Sequence, residues 1–354
     1  MKNAGIIGCG GIAQVHAWVL RHMADVKLCA LCDVVAEKAE KLAEGSGDIR
    51  ITDDWKSFCE SDLDVVHVCT PHDLHAPMAA ELLRAGKVVF AEKPCSVTRE
   101  QFRELMEEDM RHPGRLGFCF QNRYNETTRL MDHLVQEGRI GAVTGARAFV
   151  TWRRDREYYA GSPWKGRLKR EGGGALINQS IHTLDLLLRY LGKPEIVKGS
   201  MANHHLADVV FLDSGEDVRI EVEDTIEAWM RFPGGRRACF YASNGYAADA
   251  PVLLELQGET GRISMNGQEV TLYKQDGEIQ HHFCEEKSGI GKGYWGAGHK
   301  ACIEDFYQTQ DHGEKFQNDL TGVENTFSTM MAIYEAARGQ GAPHTKSGQA
   351  RKER

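Results

Sequence analysis

The sequence predicts an α/β N-terminal domain built on a parallel sheet, followed by an α+β domain of mostly antiparallel strands. Three observations carry this. A glycine turn, Gly8 to Ala13, joins a strand-length apolar run to a helical pattern. Strands and helices then alternate as far as Gln121, the pattern of right-handed crossovers and a parallel sheet. Past Arg123 the pattern changes, and from about residue 196 strand-like runs follow one another without helices between them, which means antiparallel pairing. A chain of 354 residues exceeds one ordinary core, so two domains are expected.

The opening run Ala4-Gly5-Ile6-Ile7 reads as the first strand, and Ile12, Val15, His16, Val19 and Leu20 fall at helical spacing after it. Between them lies G-x-G-x-x-A, the dinucleotide fingerprint in strand–turn–helix context. Gly8 allows the tight turn. Gly10 leaves room for a pyrophosphate, and Ala13 lets helix and strand pack closely. The amides of Gly11 and Ile12, at the helix start, face the phosphate with the positive end of the helix dipole behind them. The second strand, Val26–Cys32, ends in Asp33. A carboxylate there hydrogen-bonds the adenosine ribose and repels a 2′-phosphate, and Val34-Val35 supply no arginine, so NAD is expected over NADP.

A helix over 35–45, a short strand at 49–52 and a helix over 54–61 follow. Residues 64–69 form a buried strand ending in Thr70-Pro71, 75–85 a helix stopped by Gly86, and 88–91 the next strand, with Glu92-Lys93-Pro94 at its end. A helix over 98–111 leads to a strand over 115–121. Ligands of such sheets bind beyond the C-terminal strand ends, where Gly8, Asp33, Thr70, Lys93 and Gln121 all lie.

In the second half a helix over 125–137 and a strand over 143–152 precede an irregular stretch carrying seven basic residues between Arg153 and Arg170. Three glycines, 172–174, introduce a helix over 175–191. Strands are expected near 196–203, 208–213, 217–232, 236–243, 252–257, 261–265 and 268–273, with Asn266-Gly267 as a hairpin turn. Helices near 298–311 and 320–338 end the fold, and 339–354 reads as a flexible tail. Gly291 to Gly296 also fits G-x-G-x-x-G, but no strand precedes it. It reads as a loop whose Tyr294 and Trp295 are free to cover a ligand or simply to face solvent.

A net charge of −8 argues against general nucleic-acid affinity. No apolar run approaches the ~20 residues of a membrane helix. A first strand starting at residue 4 leaves no room for a secretory signal, so a cytoplasmic location is expected. Most of the ten cysteines sit in apolar strands, as buried reduced thiols would. Cys29 and Cys32 are spaced to face opposite ways on a strand, as are the adjacent pairs His204-His205 and His281-His282. No zinc-ligand spacing recurs, and no metal is expected.

Two further features bear on chemistry. Pro94 restricts Lys93, and a partly desolvated lysine at a strand end exchanges protons near neutrality; the tripeptide by itself equally fits a snorkelling surface lysine. On the helix after the glycines, Asn178, His182 and Asp185 share one stripe among apolar neighbours, and histidine is the natural acceptor of a hydroxyl proton at pH 7.

With these motifs together (Gly8–Ala13, Thr70-Pro71 with His75, Glu92-Lys93-Pro94 and Gly172–Asp185) nearly the whole chain resembles the Gfo/Idh/MocA oxidoreductases. The resemblance implies a Rossmann domain over 1–122 and a substrate-binding and oligomerisation domain over 123–338. It gives the second domain a large, open, mostly antiparallel sheet that pairs copies into a homodimer or homotetramer. It matches the family's catalytic lysine to Lys93 and its catalytic histidine to His182, and places His75 and Glu92 beside the cofactor with Gly8, Gly10, Gly11, Ile12, Asp33, Thr70, Lys93 and Gln121. The family's Asp-x-x-x-His has Asn178 in the aspartate position, and an amide carries no charge to raise the histidine's basicity. Asp185, the one carboxylate on that helix, is expected to substitute for that aspartate in part. Asn178, Arg123, Tyr124 and Trp164 are expected substrate contacts, the last three from their places at the domain junction or on the long loop.

The resulting expectation is an NAD-dependent dehydrogenase acting on a secondary hydroxyl of a sugar, glycoside or cyclitol. Two alternatives stay open: a redox-assisted glycosidase or eliminase with retained NAD, to which the basic loop would offer an anionic substrate site, and a non-catalytic nucleotide-sensing regulator on the same fold.

Overall fold

A computed structural model describes residues 1–45, 47–204, 210–213, 216–285 and 297–339, with backbone alone at 210–213 and 216–218. The Gly291–Gly296 loop, His205 and residues 340–354 of the expected tail lie outside the described residues.

The first half alternates β1 (Lys2–Ile7), α1 (Gly11–His22), β2 (Val26–Cys32), α2 (Ala36–Ala43), β3 (Arg50–Thr52), β4 (Val65–Val68), α3 (His72–Arg84), β5 (Val88–Ala91), α4 (Arg99–Arg111) and β6 (Leu116–Phe118). The strands form one all-parallel sheet in the order β3-β2-β1-β4-β5-β6. That order reverses direction beside β1, which places the ligand crevice at the ends of β1 and β4. β4 is buried along its whole length, because helices cover both faces of such a sheet. The expected helix over 54–61 is only a 3-10 turn, Trp55–Phe58, and the expected strand to 121 gives way after Phe118 to a 3-10 turn over Gln121–Tyr124. Each is too short a segment for periodicity to settle.

The second half contains α5 (Glu126–Gln136), β7 (Val143–Thr151), α6 (Arg156–Ala160), α7 (Leu168–Glu171), α8 (Ile181–Leu191), β8 (Ile196–Ala202), β9 (Val210–Asp213), β10 (Glu216–Arg219), β11 (Thr225–Arg231), β12 (Arg237–Ser243), β13 (Leu253–Gly258), β14 (Gly261–Asn266), β15 (Glu269–Lys274), β16 (Ile279–Phe283), α9 (His299–His312) and α10 (Leu320–Gly339). Eight strands make one sheet, β16-β15-β14-β13-β7-β12-β11-β8, antiparallel except for the β7–β12 pair. The run expected over 217–232 is two strands, β10 in a separate hairpin with β9 and β11 in the large sheet. β16 was not expected: its polar sequence, Ile279-Gln280-His281-His282-Phe283, belongs to an edge and hides the strand period.

Alternate residues of the large sheet, including Ile226, Ala228, Phe240, Leu254 and Leu256, are buried beneath α8 and α10. The opposite face is open, and Trp229 is 64% exposed on it. α9 returns to the first sheet, where Phe306 packs on Phe90 with ring centroids 5.0 Å apart. No helix of the described residues is long and apolar enough to cross a membrane.

Candidate active site

The glycine turn is shaped by contact on one side and by space on the other. Gly8 has φ +87°, and a Cβ there would stand 2.6 Å from the Cys69 carbonyl oxygen, so the turn lies directly against the end of β4. A Cβ on Gly10 would meet nothing within 4 Å. Open space therefore stands before the first amides of α1, including those of Gly11 and Ile12. Asp33 braces this turn: its carboxylate accepts from the Cys9 amide at 2.7 Å and the Val35 amide at 2.9 Å. Lone pairs remain on both oxygens for ribose hydroxyls.

Thr70 and the Glu92-Lys93-Pro94 segment meet at the next strand ends. His75 spans them, with Nδ1 2.9 Å from the Pro94 carbonyl and Nε2 2.8 Å from that of Thr70. Burial pushes the His75 pKa down, against the pull of these two carbonyls. The Thr70 hydroxyl is buried and has no partner among the described residues. Behind the lysine a buried chain runs from Tyr307 to His67 (3.1 Å), His16 (2.9 Å) and Glu92 (3.0 Å). Burial alone would raise the Glu92 pKa, but the His16 hydrogen bond and neighbouring positive groups hold it well below the usual carboxylate range. Among the described residues His16, Glu92 and Cys119 bring ligand-type atoms within 4.8 Å of one another. Both nitrogens of His16 are already committed to His67 and Glu92, so this cluster is a hydrogen-bonded core.

The Lys93–Pro94 bond is cis. Lys93 Nζ donates to the Asn178 main-chain oxygen at 2.8 Å and to Asn178 Oδ1 at 3.4 Å. Burial lowers the Lys93 pKa, while the charges of Glu92 and Glu171 oppose the shift. The expected helix over 175–191 is two segments: a π-helical turn over Ala175–Ser180, then α8. Such turns widen the helix by one residue and recur at functional sites.

The three glycines are there for close packing. A Cβ would meet Val97 at 2.8 Å from Gly172, the Tyr334 hydroxyl at 2.1 Å from Gly173 and the Glu223 carbonyl at 2.0 Å from Gly174. The buried Glu223 carboxylate caps the turn, accepting from the amides of Gly174 (2.8 Å) and Leu176 (3.1 Å) and from Tyr334 (2.8 Å).

His182, in the first turn of α8, is 8% exposed, and its Nδ1 is buried without a hydrogen-bond partner among the described residues. Burial, and after it the Lys93 charge, hold its pKa well below the ordinary value, so the ring is neutral at pH 7. The Phe120 ring meets it edge-on at 5.6 Å. Asn178 Nδ2 donates to Glu171 Oε1 and, at 3.4 Å, to the Tyr158 hydroxyl, which also takes Gln179 Nε2 at 2.7 Å. Trp164 stacks at a tilt on His72, 4.6 Å between centroids, and His72 Nδ1 donates to the Glu171 carbonyl at 2.9 Å.

Lys93, Asn178 and His182 thus come together, with Trp164 on the adjoining loop. Arg123 and Tyr124 do not join them, and the expectation that they touch substrate is corrected. All five Arg123 N–H donors are used: Nε and Nη2 on Asp185 (2.7 and 2.6 Å), Nη2 on Gly322 O, and Nη1 on Gln317 O and Asn318 Oδ1. Tyr124 gives its hydroxyl to Asp305 at 2.5 Å. Asp185, also bonded by Thr326 at 2.7 Å, faces that ion pair and cannot replace an aspartate at 178. Gln121 is buried on the turn after β6, packed against Gly298.

Glu171, Glu223, Tyr158 and His72 were not expected here. Only the position of Glu171 immediately before the glycines offered a signal. Burial raises its pKa to about 7, against the hydrogen bonds from Asn178 and the Gly166 amide.

The residues fit a dinucleotide: space before α1, a carboxylate at the end of β2, and a buried, unpartnered Thr70 hydroxyl at the end of β4.

Comparison with known proteins agrees. Residues 2–117 match the oxidoreductase family with an NAD-binding Rossmann fold, and residues 128–264 match the GFO/IDH/MocA C-terminal domain. The chain is 27% identical over 265 residues to the inositol 2-dehydrogenase of Rhizobium meliloti, covering 75% of each. It is 26% identical over 356 residues to the 1,5-anhydro-D-fructose reductase of Ensifer adhaerens, covering 97% of this chain and 98% of that one. In fold it is similar to a levoglucosan dehydrogenase solved with NADH and levoglucosan, with a TM-score of 0.83 at 19% identity over 96% of this chain and 98% of the other.

Proposed function

Because the chain belongs to the GFO/IDH/MocA oxidoreductases and is an NAD-dependent dehydrogenase, we propose that it oxidises a secondary hydroxyl of a sugar, glycoside or cyclitol, or reduces the matching ketone. The observation that carries the reading is the Lys93–Asn178 contact, which ties the lysine at the end of β5 to the helical segment bearing His182. NAD supplies the hydride acceptor when bound.

His182 takes the hydroxyl proton, since its ring is neutral and its Nδ1 is committed to no neighbour among the described residues. Lys93 donates to the same substrate oxygen and stabilises the negative charge that grows on it. Asn178 holds the lysine in place and orients a neighbouring hydroxyl. Trp164, stacked beside His72, covers the site from the loop. The relatives named above act on polyhydroxylated rings, which supports this substrate class.

The proposal includes pairing of two copies through the open sheet face, where Trp229 stands exposed. Trp229→Asp is expected to shift the mass seen by light scattering toward the monomer.

The deciding experiment is a panel of inositols, glucosides and anhydrosugars with NAD, followed at the NADH absorbance. Turnover of one member by the parent, lost in Lys93→Met and His182→Ala, is expected. Parent-like rates in either variant would overturn the assignment.

A further inference from the structure

One buried carboxyl has no task in that mechanism. Glu171 is 1% exposed, and its two oxygens are held differently. Oε2 accepts from the Gly166 amide at 2.5 Å, and Oε1 accepts from Asn178 Nδ2. The other end of the same amide, Asn178 Oδ1, accepts from Lys93 Nζ. The Asn178 side chain therefore bridges a carboxylate and an ammonium, its NH2 toward the anion and its oxygen toward the cation.

We propose that Glu171 is a positioning residue for Lys93: its carboxylate, acting through the Asn178 side chain, keeps an acceptor on the ammonium, and protonation of Glu171 reverses the amide and withdraws it. This rests on the role given to Lys93 above.

The geometry says where the proton goes. Oε2 is occupied by a main-chain N–H, so a single proton from solvent lands on Oε1. Oε1 then donates instead of accepting. Asn178 satisfies it by turning Oδ1 toward Glu171, which brings Nδ2 to face the Lys93 ammonium, donor against donor. Lys93 keeps only the main-chain oxygen of Asn178. In effect the asparagine and the buried glutamate together do what one carboxylate at position 178 would do alone.

The groups around Glu171 place this change in the neutral range. Burial and the Glu223 charge raise its pKa, while Asn178, the Gly166 amide and Lys165 lower it, leaving it at about 7. Lys93, Tyr159 and Tyr334 lie within its electrostatic reach, and the His72 ring sits on its main-chain oxygen.

The test needs no substrate. Glu171→Gln keeps the shape and the Gly166 bond but turns an NH2 toward Asn178, locking the reversed orientation. Pulse labelling with acetic anhydride at pH 8, read by mass spectrometry of the Lys93 peptide, is expected to show several-fold faster acylation than in the parent, because the lysine has lost both a nearby charge and an acceptor. Adding Asn178→Asp to Glu171→Gln restores a carboxylate against Lys93 and is expected to return the rate to the parent's, a rescue that a merely structural glutamate would not give. Equal labelling of Glu171→Gln and parent, or no rescue, would overturn the proposal.

Should Glu171→Gln not fold, Asn178→Asp alone decides. Two carboxyls in contact share a proton, so infrared titration is expected to show a carboxyl that stays protonated to a distinctly higher pH than Glu171 does in the parent. Its absence would overturn the proposal. Both arms stand whether or not the sugar panel finds a substrate.

Discussion

Lys93 Nζ lies 2.8 Å from the main-chain oxygen of Asn178, a bond across 85 residues that joins the end of a strand in the parallel sheet to the helical turn packed on the other. In the proposed reading the lysine serves the substrate oxygen, and its contacts are with Asn178 on the second domain. Lys93→Met is therefore expected to lower kcat by about 10²–10³ while leaving NADH affinity within a few-fold. Steady-state rates and an NADH fluorescence titration separate the two effects.

The ion pair of Arg123 with Asp185 is structural. Both side chains are buried and bonded on every side, so Arg123→Ala leaves a carboxylate uncompensated and is expected to cost about 3–5 kcal/mol. Denaturant unfolding measures the loss. Any folded fraction retains the parent KM, as a residue outside the substrate pocket should.

Gly8→Ala puts a methyl group 2.6 Å from the Cys69 carbonyl at a φ that L residues rarely adopt. The backbone term alone is about 1–3 kcal/mol. Relief of the clash moves the turn, so NADH binding is expected to weaken along with stability, whereas Gly10→Ala, with open space around it, lowers NADH affinity alone. Calorimetry on both variants tells these apart.

Stability carries the mark of Glu171. Its folded pKa of about 7 lies above the unfolded carboxyl value, so between the two the folded chain binds the extra proton. Its contribution is intact at low pH and is lost as pH rises through about 7, a change of about 3 kcal/mol. Glu171→Gln does not titrate. The difference in unfolding free energy between variant and parent is expected to move in the variant's favour from pH 5 to pH 8, and a constant difference would contradict the shift.

The parts of the site legible in the sequence are those whose chemistry is local. The glycine turn, Asp33 at its strand end and the Glu92-Lys93-Pro94 segment each lie within a few residues of the element that positions them. The strand alternation of the large sheet was legible for the same reason. Arg123 was misread because its partner Asp185 is 62 residues away, and an arginine at a domain junction looks free until that partner is seen. Glu171 was hidden among basic residues, and only the fold shows that it turns inward beneath Asn178. The π-helical turn eluded periodicity because one added residue in a single turn shifts the pattern too little to register.

The Tyr334 hydroxyl bonds both the Ile177 amide and the Glu223 carboxylate, beneath the turn that carries Asn178. A growing chain therefore exposes every residue of the proposed chemistry long before the floor under it exists. Competence waits until α10, whose Tyr334 lies 157 residues beyond Ile177, has docked, and before that the glycine turn has nothing to hold a substrate against it.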